Sequence, residues 1–217
     1  MRELEGPRRE PRGREAISLV ILLHGYGASG DDLIGLTDAW QGALPQTVFV
    51  APHAPERLPY GGYGGYQWFP LTIGDPGEIW RGVCGATPAV DRFLDVELAR
   101  YRIDPRRLAL IGFSQGTMLA LHVGLRRSTA PAAIVGYSGI IAGPEYLARD
   151  IKARPPVQLI HGEQDEVIPV EALHITREAL ASAGIAVEWH IRRGLSHGID
   201  PVGLEFAGAF LKRALLP

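Results

Sequence analysis

The sequence predicts an α/β architecture, a mostly parallel sheet with helices on both faces, and three observations carry that prediction. Apolar runs of strand length recur at 16–24, 47–52, 108–114, 132–138, 157–162 and 186–191. Most are apolar on consecutive residues, as strands buried on both faces require. Between them lie helical patterns at about 29–41, 86–102, 115–127, 145–152, 169–183 and 201–215, and such alternation implies parallel strands joined by helical crossovers. At 217 residues the chain suits one domain, here 16–217.

Residues 1–15 (MRELEGPRREPRGRE) lack hydrophobic periodicity and read as a mobile arm, with room for a short edge strand. They are charged where a secretion signal would need an apolar stretch, and no later apolar run approaches the roughly 20 residues of a membrane span. The formal charge of −2 at pH 7 offers no footprint for phosphate backbones or anionic membranes. Cys84 is the only cysteine, so no internal disulfide forms and cysteine-based zinc is excluded. A soluble, cytoplasmic protein acting on a small molecule fits these facts, with a homodimer left open.

The first strand runs into His24-Gly25-Tyr26-Gly27 and a helix. The second ends at TVFVAP, and 53–85 then reads as a long loop holding Tyr60, Tyr63, Tyr66, Trp68, Phe69 and Trp80 among many Gly and Pro residues. Loops of that length in compact domains are often functional, although aromatic residues covering the core are the plainer alternative.

After the next helix, strand LALI leads into Gly112-Phe113-Ser114-Gln115-Gly116 and the helical run TMLALHVGL. This is G-x-S-x-G between strand and helix, the turn that exposes a nucleophilic Ser in the α/β-hydrolase fold. Glycines two before and two after relieve the crowding of a strained turn. The N–H of Gln115, opening the helix, is one candidate oxyanion donor, and the N–H of Tyr26 after the first strand is the other.

Strand 132–138 is followed, between Ser138 and Val157, by too little chain for a cap domain. The active site should then be an open cleft walled by loops. Strand 157–162 ends in HGEQDEVIP, which offers Asp165 as acid with Glu163 and Glu166 as rivals; Asp is the better buried partner for a His Nδ1–H. Of seven histidines, His24, His53 and His122 precede the acid, His161 closes a strand, His174 lies in a helix and His190 in a strand. Only His197, in GLSHGID, follows the last strand on a loop, which makes Ser114, Asp165 and His197 the expected triad.

HGYGASG, GFSQG, HGEQDEVIP and GLSHGI together resemble the phospholipase/carboxylesterase family, which includes the acyl-protein thioesterases, from about Ile17 onward. The resemblance implies the same triad on Ser114, Asp165 and His197, oxyanion N–H groups at Tyr26 and Gln115, and hydrolysis of small to medium acyl esters without cofactor or metal. It places Trp68 and Phe69, with Tyr66, at the substrate groove. Glu166 after the acid, Thr117 after GFSQG and the QWFP segment depart from the thioesterase pattern and favour a bacterial carboxylesterase; thioesterase or lysophospholipase activity on the same triad is the alternative.

Two other classes compete. Gly25-Tyr26-Gly27-Ala28-Ser29-Gly30 is a literal G-x-G-x-x-G after a strand, but the second strand ends in TVFVAPHAP without the acidic residue a dinucleotide ribose needs. A non-catalytic ligand-binding relative would commonly lack one triad residue, and all three are present. Neither H-E-x-x-H nor H-x-x-E-H occurs, so metal hydrolysis fits poorly.

Overall fold

The computed structural model describes residues 3–12, 15–58, 65–72 and 75–216. In chain order the strands are β1 (Arg8–Arg9), β2 (Ser18–Leu23), β3 (Thr47–Val50), β4 (Glu56–Arg57), β5 (Tyr66–Gln67), β6 (Leu108–Phe113), β7 (Ala133–Tyr137), β8 (Val157–Gly162) and β9 (Val187–Arg192). The helices are α1 (Gly30–Ile34), α2 (Pro76–Tyr101), α3 (Gln115–Gly124), α4 (Leu147–Asp150), α5 (Glu171–Ser182) and α6 (Pro201–Leu215). Seven strands form one sheet in the order β1-β3-β2-β6-β7-β8-β9, parallel except for β1, and β4 pairs with β5 in a separate hairpin.

Alternate residues of β2 explain the two-sided core. Leu19, Ile21 and Leu23 join Val90 and Leu94 of α2, Leu119 of α3 and Leu173 of α5 on one face. Val20 and Leu22 join Trp40 and Phe210 and Leu211 of α6 on the other. A period of two with both faces covered produces the continuous apolar runs of the sequence. Every residue of α3 is buried, because this helix lies between the sheet and α2.

Three elements differ from expectation. Residues 3–12 do not leave the body as a free arm. Arg8–Arg9 adds antiparallel to β3, and Arg8 donates to Glu97 and to the Tyr101 hydroxyl, each at 3.0 Å. Charge complementarity to α2 holds this polar segment, which hydrophobic periodicity does not register. The stretch 53–85 is shorter as a loop than it read: α2 begins at Pro76, with the Asp75 side chain accepting from Gly77 and Glu78 N–H, so Trp80 and Cys84 are helical. Pro at the first turn and an Asp cap favour that start. Tyr60 and Tyr63 lie outside the described residues. The helix expected at 29–41 is a short α1 continued by a 3-10 segment, Gly35–Ala39.

Strand order reverses direction at β2, which has β3 on one side and β6 on the other. Ligands in open α/β sheets bind at such a switch point, beyond the carboxyl ends of the strands. The loops after β2 and β6 carry Tyr26 and Ser114, and those after β8 and β9 carry Asp165 and His197.

Candidate active site

Ser114 caps α3 with φ 54° and ψ −115°, a left-handed conformation for a residue with a side chain. Surrounding structure must hold such strain. A Cβ at Gly116 would run into the carbonyl oxygen of Leu23, so only Gly lets α3 seat its first turn on the end of β2. Ser114 is buried apart from 6% of its surface and opens on a cleft.

The histidine loop is laced to the acid loop. Gln164 N–H donates to Leu195 O and Glu163 N–H to Arg192 O, both at 2.9 Å. Arg192 also pairs with Asp200, the N-cap of α6, at 2.9 Å, so both ends of the loop holding His197 are tied down. His197 packs its ring 4.8 Å from that of Phe113, the residue preceding Ser114.

Asp165 Oδ2 lies 2.8 Å from His197 Nδ1, and Oδ1 accepts from the N–H groups of Val167 at 3.0 Å and Ile168 at 2.9 Å. Burial alone would raise the Asp165 pKa, but the His197 and Ile168 bonds outweigh it and hold the carboxyl below its ordinary value. An ionised carboxylate only accepts, so His197 carries its proton on Nδ1 and leaves Nε2 free. The rival acids face elsewhere: Glu163 accepts from Gly194 N–H, and Glu166 is exposed.

A further histidine, His161, which loop order does not select, adjoins Asp165. Its Nε2 lies 2.8 Å from Ile168 O and 3.3 Å from Asp165 Oδ2. Since a carbonyl oxygen accepts, Nε2 carries the proton, and burial lowers the pKa of this ring. The position directly before the acid loop was the available signal, but ordering by loop selects only His197.

After β2, Gly25 O accepts from Ala28 N–H at 3.2 Å, and Gly27 takes φ 79° at the third position. This is a type II turn, in which that φ favours Gly. Tyr26 sits at the second position and is 46% exposed. A Cβ placed on Gly25 would lie 3.3 Å from Ser114 Cβ, so the turn abuts Ser114. His24 beneath it accepts at Nε2 from Ala54 N–H at 3.0 Å, and its Nδ1 lies 2.8 Å from Gly25 O. The first bond makes Nε2 the acceptor, so Nδ1–H donates to Gly25. Burial pushes the His24 pKa down to about 4.

The cleft at Ser114 has a volume of about 350 Å³. It is lined by apolar side chains of α2, α3 and α5 and of the loops before α2 and α5, among them Leu71, Ile79, Met118, Val167 and Ile175. The expected substrate contacts are elsewhere. Trp68 and Phe69 are 2% and 3% exposed and belong to the core. Tyr66 stacks on His53 at 5.1 Å and accepts from Arg57 at 3.0 Å, away from this cleft. A bridge to Ala28 and a side-chain clamp from Gln115 hold 66–69 in place, and a run of aromatic residues does not reveal which way its backbone faces.

The model of the phospholipase/carboxylesterase family matches residues 7–215. The chain is 27% identical over 223 residues to acyl-protein thioesterase 1 of Gibberella zeae, covering 95% of this chain and 94% of that one. To the esterase YpfH of Escherichia coli it is 27% identical over 199 residues, covering 89% and 82% respectively. Among solved structures, esterase PE8 superposes with a TM-score of 0.93 at 41% identity, covering 98% of this chain and all of the other. With the match running over nearly the whole chain and the fold agreeing, this protein belongs to the phospholipase/carboxylesterase family of α/β-hydrolases and is a serine hydrolase.

Proposed function

We propose that the chain is a carboxylesterase that cleaves esters of small to medium acyl groups through Ser114, His197 and Asp165. One observation carries this: a strained Ser114 at a helix N-terminus opens on an apolar cleft, while His197 is bonded through Nδ1 to Asp165 at 2.8 Å. In this reading His197 Nε2 takes the proton of Ser114 Oγ as Oγ attacks the acyl carbon. The carbonyl oxygen becomes an oxyanion, held by the N–H groups of Tyr26 and Gln115. Collapse expels the alcohol, protonated by His197. Water, deprotonated by His197, then attacks the acyl-enzyme and frees the acid and Ser114. Asp165 stabilises the imidazolium that forms in each half.

The cleft supports an acyl chain, since apart from Ser114 and Glu171 its lining is apolar. Thioester or lysophospholipid hydrolysis on the same residues is the second reading, favoured by the name of the thioesterase relatives. The lone cysteine fits a cytoplasmic enzyme, which belongs to the same proposal. The test is hydrolysis of p-nitrophenyl esters and matched thioesters of graded chain length, with a fluorophosphonate probe mapped by mass spectrometry. The probe should label Ser114, and Ser114→Ala or His197→Ala should lower kcat by roughly 10⁴–10⁶. Retention of a tenth of the activity in Ser114→Ala, or a chain the probe does not label, defeats the reading; higher kcat/KM on thioesters at every length selects the second.

A further inference from the structure

The two N–H groups assigned to the oxyanion come from different loops, one after β2 and one after β6, and a single buried segment joins them. The Gln115 side chain, fully buried, accepts from Trp68 N–H at 3.0 Å and donates to Phe69 O at 2.8 Å. This carboxamide clamps the 68–69 backbone to the first residue of α3. Trp68 then reaches the other loop, its indole N–H donating to His24 O at 2.9 Å. Its ring lies 5.2 Å from that of His24, which in turn holds Gly25 O through Nδ1. Two residues upstream, Tyr66 closes the link, its O accepting from Gly27 N–H and its N–H donating to Ala28 O, both at 2.9 Å.

We propose that Trp68 and the Gln115 side chain are positioning residues for acyl transfer, a brace that sets the separation of the Tyr26 and Gln115 N–H groups. The inference rests on the oxyanion assignment above. It reassigns Trp68 from substrate contact to transition-state geometry: neither side chain touches the reacting atoms, yet each fixes one donor relative to the other. Oxyanion donors act only when already aimed at the position the charged oxygen will take, so a small loosening affects the transition state more than substrate binding.

The test uses Trp68→Phe, which keeps a ring and loses the indole donor, and Gln115→Asn, which is too short to span both backbone groups. Trp40→Phe is the control. Trp40 is equally buried, and its indole N–H donates at 2.9 Å to Leu204 O in the opposite core layer. Each variant is assayed on an ester, and its affinity is measured for an alkyl trifluoromethyl ketone, whose hemiketal with Ser114 carries the oxyanion. Removing an oxyanion donor outright lowers kcat by about 10²–10³-fold, so displacing one should lower it by about tenfold.

Trp68→Phe and Gln115→Asn should show that loss in kcat, KM within about twofold and ketone affinity weakened by the same factor. Trp40→Phe should lose melting temperature while keeping kcat and ketone affinity. Wild-type kcat and ketone affinity in either brace variant that folds overturns the brace, as does an equal loss in Trp40→Phe. Were wild-type enzyme to ignore the ketone, or Ser114→Ala to stay active, the oxyanion reading itself would fall, a result distinct from an intact site indifferent to Trp68.

Discussion

His161 and His197 meet the same oxygen of Asp165, at 3.3 and 2.8 Å. The nearer ring donates through Nδ1, whereas the other donates its Nε2 proton to Ile168 O and only lies beside the carboxylate, so His161 steadies the turn after Asp165. His161→Phe should lower kcat about tenfold with little change in KM, since the turn whose Val167 and Ile168 N–H groups hold Asp165 loses its donor to Ile168 O. His161→Gln, which can still donate, should recover part of that loss. Steady-state kinetics on one ester checks both, and unchanged kcat in the Phe variant would leave His161 with a purely structural role.

Chain-length preference should follow the cleft walls. Ile79→Trp narrows the cleft and should lower kcat/KM for an octanoyl ester relative to a butyryl ester by about tenfold, the lower end of what a single methylene decides in an apolar pocket. Trp68→Ala should instead cost roughly 3–5 kcal/mol of stability. It should depress activity on all lengths together, leaving their ranking intact. A changed ranking in Trp68→Ala would return that ring to the substrate.

Acid should weaken the fold through buried histidines. His24 and His122, 0% and 5% exposed, have pKa values lowered by burial from 6.5 to about 4. Between these values the unfolded chain binds protons that the fold refuses. Their contribution is complete above pH 6.5, declines as pH falls toward 4, and below 4 declines no further. The gap, 6.5 minus 4, at 1.36 kcal/mol per unit is roughly 3 kcal/mol for each ring. Urea unfolding at pH 7.5 and 4.5 measures it. His122→Phe should lose less stability between the two pH values than wild type, and an equal loss refutes the assignment.

Gly116→Ala should damage stability and rate together. Its new Cβ meets backbone, the Leu23 carbonyl, which cannot rotate aside as a side chain would. Overpacking of this kind costs about 1–3 kcal/mol, and relief by shifting α3 would move Ser114 and the Gln115 N–H. A melting scan alongside kcat tests this; wild-type kcat with a lowered melting temperature would show that the elbow tolerates the shift.

The layout of the sheet was legible because its cause is local. β2, β6, β7 and β8 are buried on both faces, so each reads as an unbroken apolar run, and the glycines flanking Ser114 mark a turn crowded enough to need them. Chain order and loop position selected Asp165 and His197, and the structure joins them by a 2.8 Å bond. The docked arm was not legible, because Arg8 is held by Glu97, 89 residues away, and no periodicity records a partner so distant.

Sequence alone determined which side chains could supply a nucleophile, a base and an acid, since those roles demand particular functional groups at the ends of recognisable strands. Tertiary structure alone decided which apolar residues line the cleft at Ser114 and which enter the core. The family resemblance places Trp68 and Phe69 at the groove, yet both rings are buried in the core beside a backbone clamped by Gln115, and the cleft at Ser114 is lined instead by Leu71, Ile79, Val167 and Ile175, from α2 and α5 and the loops before them. An aromatic ring gains free energy from burial against either a ligand or the core, and only the packing of distant segments determines which surface it meets.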